Sequence, residues 1–128
     1  MRASKKFVSE VIRDYKKLFP AVRDVKFHVS FVSKLVDKAT GGNLRGTFNT
    51  ELSDWSPDFR SGIIVLSDTT NHTLDDVGIC LVHELTHCYF KKVGKLHKLV
   101  EEALCEHGDT KIYAIIKHRL AQRLVFPS

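Results

Sequence analysis

Phe7, Val8, Val11, Ile12, Tyr15, Leu18 and Phe19 recur at helical spacing, which predicts an amphipathic first helix. Ser4 can cap its start and Pro20 closes it. The period then changes. Val25, Phe27, Val29 and Phe31 alternate with Lys26, His28 and Ser30, the pattern of a half-buried strand. Gly41-Gly42-Asn43 supplies turn chemistry, and a second, more polar strand is expected at about Thr47 to Leu52. Residues 53–62 hold Trp55, Pro57 and Gly62 and read as a loop. Ile63-Ile64-Val65-Leu66 is a short unbroken apolar run, which predicts a strand covered on both faces.

Three helices are expected downstream. Thr73 is the N-cap of the first, with Asp75 and Asp76 in the turn where the helix dipole favours acids, and Lys91, Lys92 and Gly94 mark its end. A second helix is expected from about Leu96 to His107 and a third from about Thr110 to Leu124, parted by Gly108-Asp109. In the second, Leu96, Leu99, Val100, Ala103 and Leu104 define the apolar face, with Glu101 and Glu102 flanking it. The 128 residues carry no repeat, linker or low-complexity segment, so residues 1–128 read as one α+β domain.

Composition narrows the class. At 43% apolar and 27% charged residues the chain is globular rather than disordered. No apolar stretch is long enough to span a membrane, and the basic Met1–Lys6 run leads into an amphipathic pattern rather than a signal peptide. Three cysteines do not make a disulfide framework. An intracellular, cytoplasmic setting is therefore expected. The net charge of +5 allows a nucleic-acid partner through a basic surface. It is also what a solvated lysine-rich exterior gives, and no nucleic-acid motif accompanies the Lys5-Lys6, Lys16-Lys17 and Lys91-Lys92 clusters.

The chemistry concentrates in His83-Glu84-Leu85-Thr86-His87, an H-E-x-x-H. On a helix, residues i and i+4 share a face, so both imidazoles can reach one metal ion, with the glutamate beside them. Zinc lowers the pKa of a bound water to about 7, and a neighbouring carboxylate can take its proton. Two histidines do not complete a catalytic zinc site; a third protein ligand is needed. His87 lies seven residues before Gly94, and Glu101 and Glu102 lie seven and eight after it, so an antiparallel pair of helices brings either glutamate level with the histidines. His97 is too close to the turn, and Glu106 and His107 are too far from it.

Here the chain resembles the gluzincin metallopeptidases, whose H-E-x-x-H is followed by a helix bearing a ligand glutamate. Glu102-Ala103-Leu104-Cys105-Glu106 is similar in register to their E-G-x-A-E, with alanine and cysteine in place of glycine and alanine. The resemblance, covering about residues 5–107, implies a minimal single-domain, zincin-like fold with a backing helix, three strands, the zinc helix and the glutamate helix. It implies zinc held by His83, His87 and Glu102, with Glu84 as general base for peptide-bond hydrolysis and a protein or peptide as substrate. Glu106 would be a possible partner orienting a ligand histidine. An oxyanion donor is expected among Tyr113, His107 and His118. By the same resemblance an extended peptide would pair with the strand at Thr47–Leu52, beside a pocket from the Trp55 loop.

Two other classes compete. Cys80, His83, His87 and Cys105 could close a structural zinc site with no open position, making the chain a catalytically inactive interaction module. Cys88, next to His87, is a further sulfur candidate. Alternatively the chain is a basic nucleic-acid-binding domain in which the motif is accidental. Glu84 argues against the first, since a structural site has no use for a base.

Overall fold

Ser4 Oγ accepts a hydrogen bond from the Phe7 amide at 3.1 Å and starts α1 (Lys5–Leu18). The computed structural model describes residues 1–52, 56–94 and 98–125, so the Trp55 loop expectation lies outside the described residues. A single 3-10 turn, Pro20–Val22, leads to β1 (Lys26–Val32). The chain continues through β2 (Gly46–Thr50), β3 (Ser61–Ser67), α2 (Leu74–Val93) and α3 (Lys98–Val125). The result is a small α+β fold with three α-helices and a three-stranded mixed sheet. Among the described residues no helix is long and apolar enough to cross a membrane.

Strand order is β1-β3-β2, with β1 parallel and β2 antiparallel to β3. The hairpin-like link before β2 turns at Gly41, whose φ of 74° is open to glycine at no steric cost. The polar strand is thus an edge strand. One face of the sheet is covered. Ile64 and Leu66 point into the core with Leu81, Val82 and Leu85 of α2 and Val11 and Tyr15 of α1. Each such side chain is worth roughly 1.5–3 kcal/mol on burial. Ile63, on the opposite face, stays 46% exposed, so the expectation of a β3 covered on both sides is corrected: the helices all lie on one side.

α2 begins in a capping box in which Thr73 and Asp76 satisfy each other's backbone amides. Its back face is tied to α1 by Tyr15, whose hydroxyl donates to Thr86 Oγ1 at 3.0 Å, while Thr86 donates to the Val82 carbonyl at 2.8 Å. At the far end Lys92 bonds the carbonyls of Pro57 and Phe59 and lies 4.2 Å from the centre of the Phe59 ring.

α3 departs from expectation twice. It is continuous through Gly108-Asp109, where the sequence predicts a break. A glycine within a helix costs about 1 kcal/mol, less than is gained by burying Cys105 before it and Tyr113 and Ile116 after it. The face turned to α2 is also not the apolar one. Leu99, Val100 and Leu104 are 74%, 49% and 43% exposed, while Glu101, Glu102 and Asp109 turn toward the H-E-x-x-H helix.

Candidate metal centre

His83 and His87 stand one turn apart on α2, their ring centres 4.9 Å from each other. Glu102 of α3 meets both. Its Oε1 lies 2.9 Å from His83 Nε2 and its Oε2 lies 2.8 Å from His87 Nε2. One ligand atom from each of His83, His87 and Glu102 falls within 4.8 Å of the others, a spacing at which the three could hold one metal ion.

The outer nitrogens are engaged as well. His83 Nδ1 is 3.1 Å from Asp109 Oδ2, and His87 Nδ1 is 2.7 Å from Glu101 Oε2. Each imidazole is therefore held between two carboxylates. A neutral ring has one N–H, and a carboxylate only accepts. With the Nδ1 protons given to Asp109 and Glu101, the two Nε2 lone pairs face the oxygens of Glu102, acceptor against acceptor. A proton on an imidazole or a metal cation between the groups resolves that conflict. Two imidazole nitrogens and a carboxylate, with outer carboxylates orienting the rings, form a donor set that could hold a metal ion.

Electrostatics follow the same layout. Burial would push the His83 imidazole down, but the carboxylates of Glu84, Asp109 and Glu102 outweigh it and the net direction is up. Glu84 is only 6% exposed, and burial raises its carboxyl above the usual range against the pull of His87 and His83. Its oxygens make no hydrogen bond to any described residue. It borders the cleft.

The cleft, about 1370 Å³, runs between α2, α3 and the edge strand β2. Gly46 brings the strand close: a Cβ there would stand 2.8 Å from Cys80 Sγ and 3.3 Å from Glu84 Oε2. The Ser67 amide donates to the Arg45 carbonyl at 2.8 Å, and the register continues from Gly46 opposite Leu66. In an antiparallel ladder bonded and non-bonded pairs alternate. Arg45, Thr47 and Asn49 therefore spend their backbone groups on β3, and Gly46 and Phe48 turn theirs to the free edge, beside the cleft.

Other expected residues fall elsewhere. Tyr113, expected as an oxyanion donor, is not among the residues lining the cleft; its ring packs on Gly78 and its hydroxyl donates to Asp75 at 3.0 Å. His107 and His118 are exposed on α3 and also lie outside the cleft lining. Glu106 lines the cleft but pairs with neither histidine; Glu101 and Asp109 do so instead. Cys80, Cys88 and Cys105 are buried, and among the described residues no sulfur joins the metal-ligand group. Asp109 is the residue sequence reasoning missed, although it stands seven residues, about two turns, beyond Glu102 and so on the same helical face.

Compared with known proteins, the chain matches no family model, no curated protein and no solved structure.

Proposed function

We propose that the chain is a zinc-dependent peptidase of the gluzincin kind, zincin-like in fold, acting on extended peptide segments. The observation that carries this reading is the convergence of His83, His87 and Glu102 beside a buried carboxylate, Glu84, that no described residue uses. A structural metal site needs only ligands; a peptidase also needs a base at that place.

His83, His87 and Glu102 would hold the ion, with Asp109 and Glu101 setting the ring orientations. Zinc bound there supplies Lewis acidity toward a carbonyl and makes a water acidic near neutral pH. Glu84 takes the proton of the attacking water and returns it to the leaving amine. Its burial suits this double duty, because a carboxyl raised toward neutrality both accepts and donates readily. Gly46 and Phe48 offer an extended substrate the backbone donors and acceptors of a sheet edge.

The test compares wild type and Glu84→Gln, both loaded with zinc, on a fluorogenic peptide library. The expected outcome is full metal retention with cleavage lowered about 10²–10⁴-fold, the range for loss of a general base. Equal cleavage by the two proteins would remove Glu84 from the reaction. No cleavage by wild type across the library would favour the inactive zinc module.

A further inference from the structure

The charges of this molecule are segregated. The cleft is lined by six acidic side chains, Asp37, Glu84, Glu101, Glu102, Glu106 and Asp109, against the cations Arg45, Lys91 and Lys92. On the other side of the sheet's order, where β1 forms the second edge, the balance reverses. A groove of about 480 Å³ between α1 and β1 is lined by Arg13, Lys16, Lys17 and Lys26, with no acid in its wall.

α1 explains the excess. Lys5, Lys6, Arg13, Lys16 and Lys17 fall within one face of the helix at 100° per residue. The helix has two acids, and both are spent. Arg123 of α3 donates to Asp14 at 2.8 and 2.9 Å and also to Glu10. Lys16 donates to the Val25 carbonyl at 2.6 Å and lies 5.4 Å from the centre of the Phe27 ring, which fixes the groove floor. Lys5, Lys6, Arg13, Lys17 and Lys26 pair with no acid among the described residues. Asp24, outside the groove wall, faces Arg23 at 3.9 Å and also acts electrostatically on Lys16.

We infer that this α1–β1 face binds the phosphate backbone of a nucleic acid, on a surface separate from the cleft. The dimensions agree. Residues 5 to 17 of a helix span about 18 Å, the length of duplex axis over which one strand carries about five phosphates. The cations of α1 stand in two groups, Lys5-Lys6 and Arg13-Lys16-Lys17, about 10 Å apart along the helix axis, and the lack of acids in the groove wall removes the repulsion that the cleft would impose on a polyanion. A lipid surface fits less well. Membrane-bound helices carry protruding apolar anchors beside their cations, whereas none of the exposed large hydrophobic residues lies on α1 or β1. Ile12 and Phe27 sit in the groove instead, packed against the core.

The experiment is fluorescence anisotropy of a labelled DNA duplex of about 20 base pairs, titrated with full-length Glu84→Gln protein, so that binding is read apart from any peptidase activity. With about four phosphate contacts, affinity should fall roughly 100-fold between 50 and 200 mM salt. The variant R13Q/K17Q/K26Q should bind at least 10-fold more weakly, with the log–log salt slope reduced by about three. The charge-preserving R13K/K17R/K26R should bind as the parent does, which separates charge from any disturbance of the fold. Unchanged binding by the glutamine variant would place the nucleic-acid contact elsewhere and overturn the inference. So would absence of binding at 50 mM salt, or tighter binding to phosphatidylserine vesicles or polyglutamate than to DNA.

Discussion

Asp109 Oδ2 stands 3.1 Å from His83 Nδ1 and joins α3 to α2 at the outer side of the candidate metal centre. Glu101 does the same for His87 at 2.7 Å. Carboxylates in that position fix the ring and raise its basicity as a ligand, and losing one costs about 10–100-fold in metal affinity. Asp109→Ala and Glu101→Ala should each show that loss in competition with a chromophoric zinc chelator. Glu102→Ala should show a larger one and Glu106→Ala none. From sequence, Glu102→Ala is expected to lower zinc affinity severely and Glu101→Ala is not; the His87 contact adds a smaller loss for Glu101. Equal losses for Glu106 and Asp109 would dissolve the assignment.

Tyr113 is held by packing rather than by the site. A Cβ on Gly78 would stand 2.0 Å from the Tyr113 ring, so Gly78→Ala displaces the ring and should cost about 1–3 kcal/mol, read as a fall in Tm. Tyr113→Phe removes only the hydrogen bond to Asp75, which is half-exposed, and should cost at most about 1 kcal/mol. Peptide cleavage by Tyr113→Phe should match wild type. A drop of tenfold or more in kcat would return Tyr113 to the reaction.

Much of this layout was legible in the sequence because it rests on local periodicity. Ser4 and Thr73 mark helix starts because their side-chain oxygens accept from the first-turn amides, and the alternation through Phe27 and Val29 sets a strand with no knowledge of its neighbours. The level of Glu101 and Glu102 opposite His87 follows from rise per residue alone. What failed depended on tertiary competition. Gly108-Asp109 carries turn chemistry, yet the burial on both sides and the His83 contact keep the helix running. The apolar stripe of Leu99, Val100 and Leu104 was expected inside and is outside, because the acids that serve the histidines occupy the face toward α2. A hydrophobic wheel ranks faces by apolarity and does not register a polar site that must be interior.

Arg123 clasps Asp14, which is fully buried, from a side chain that is itself 36% exposed. Removing the partner of a buried carboxylate strands a charge, at about 3–5 kcal/mol for a pair wholly out of water. Water reaches Arg123, so Arg123→Gln should cost less, about 1–3 kcal/mol by urea denaturation. Asp14→Asn combined with Arg123→Gln should cost less than the two single losses added together, since the double variant leaves no buried charge unpaired; Glu10, the other partner of Arg123, is 30% exposed. Full additivity would mean that the pair contributes nothing as a pair.

The three thiols supply the last check on the metal centre. Burial pushes Cys80 and Cys88 up to about 12 from an ordinary 9.0, and Cys105 higher still. A thiolate is the species that attacks reagents and ligates zinc, so groups held protonated do neither readily. At pH 8 the native protein should react slowly with a disulfide reagent such as dithionitrobenzoate, and all three thiols should react after unfolding in urea. The sign of the pH effect is fixed: between about 9 and 12 the folded chain keeps protons that the unfolded chain releases, so stability falls as pH rises through that window. Because no sulfur joins His83, His87 and Glu102 in the ligand group among the described residues, zinc-edge X-ray absorption should show only nitrogen and oxygen neighbours, at about 2.0–2.2 Å. A sulfur shell near about 2.3 Å, together with a thiol that reacts only after chelation, would bring a cysteine into the metal site and turn the reading toward the structural module.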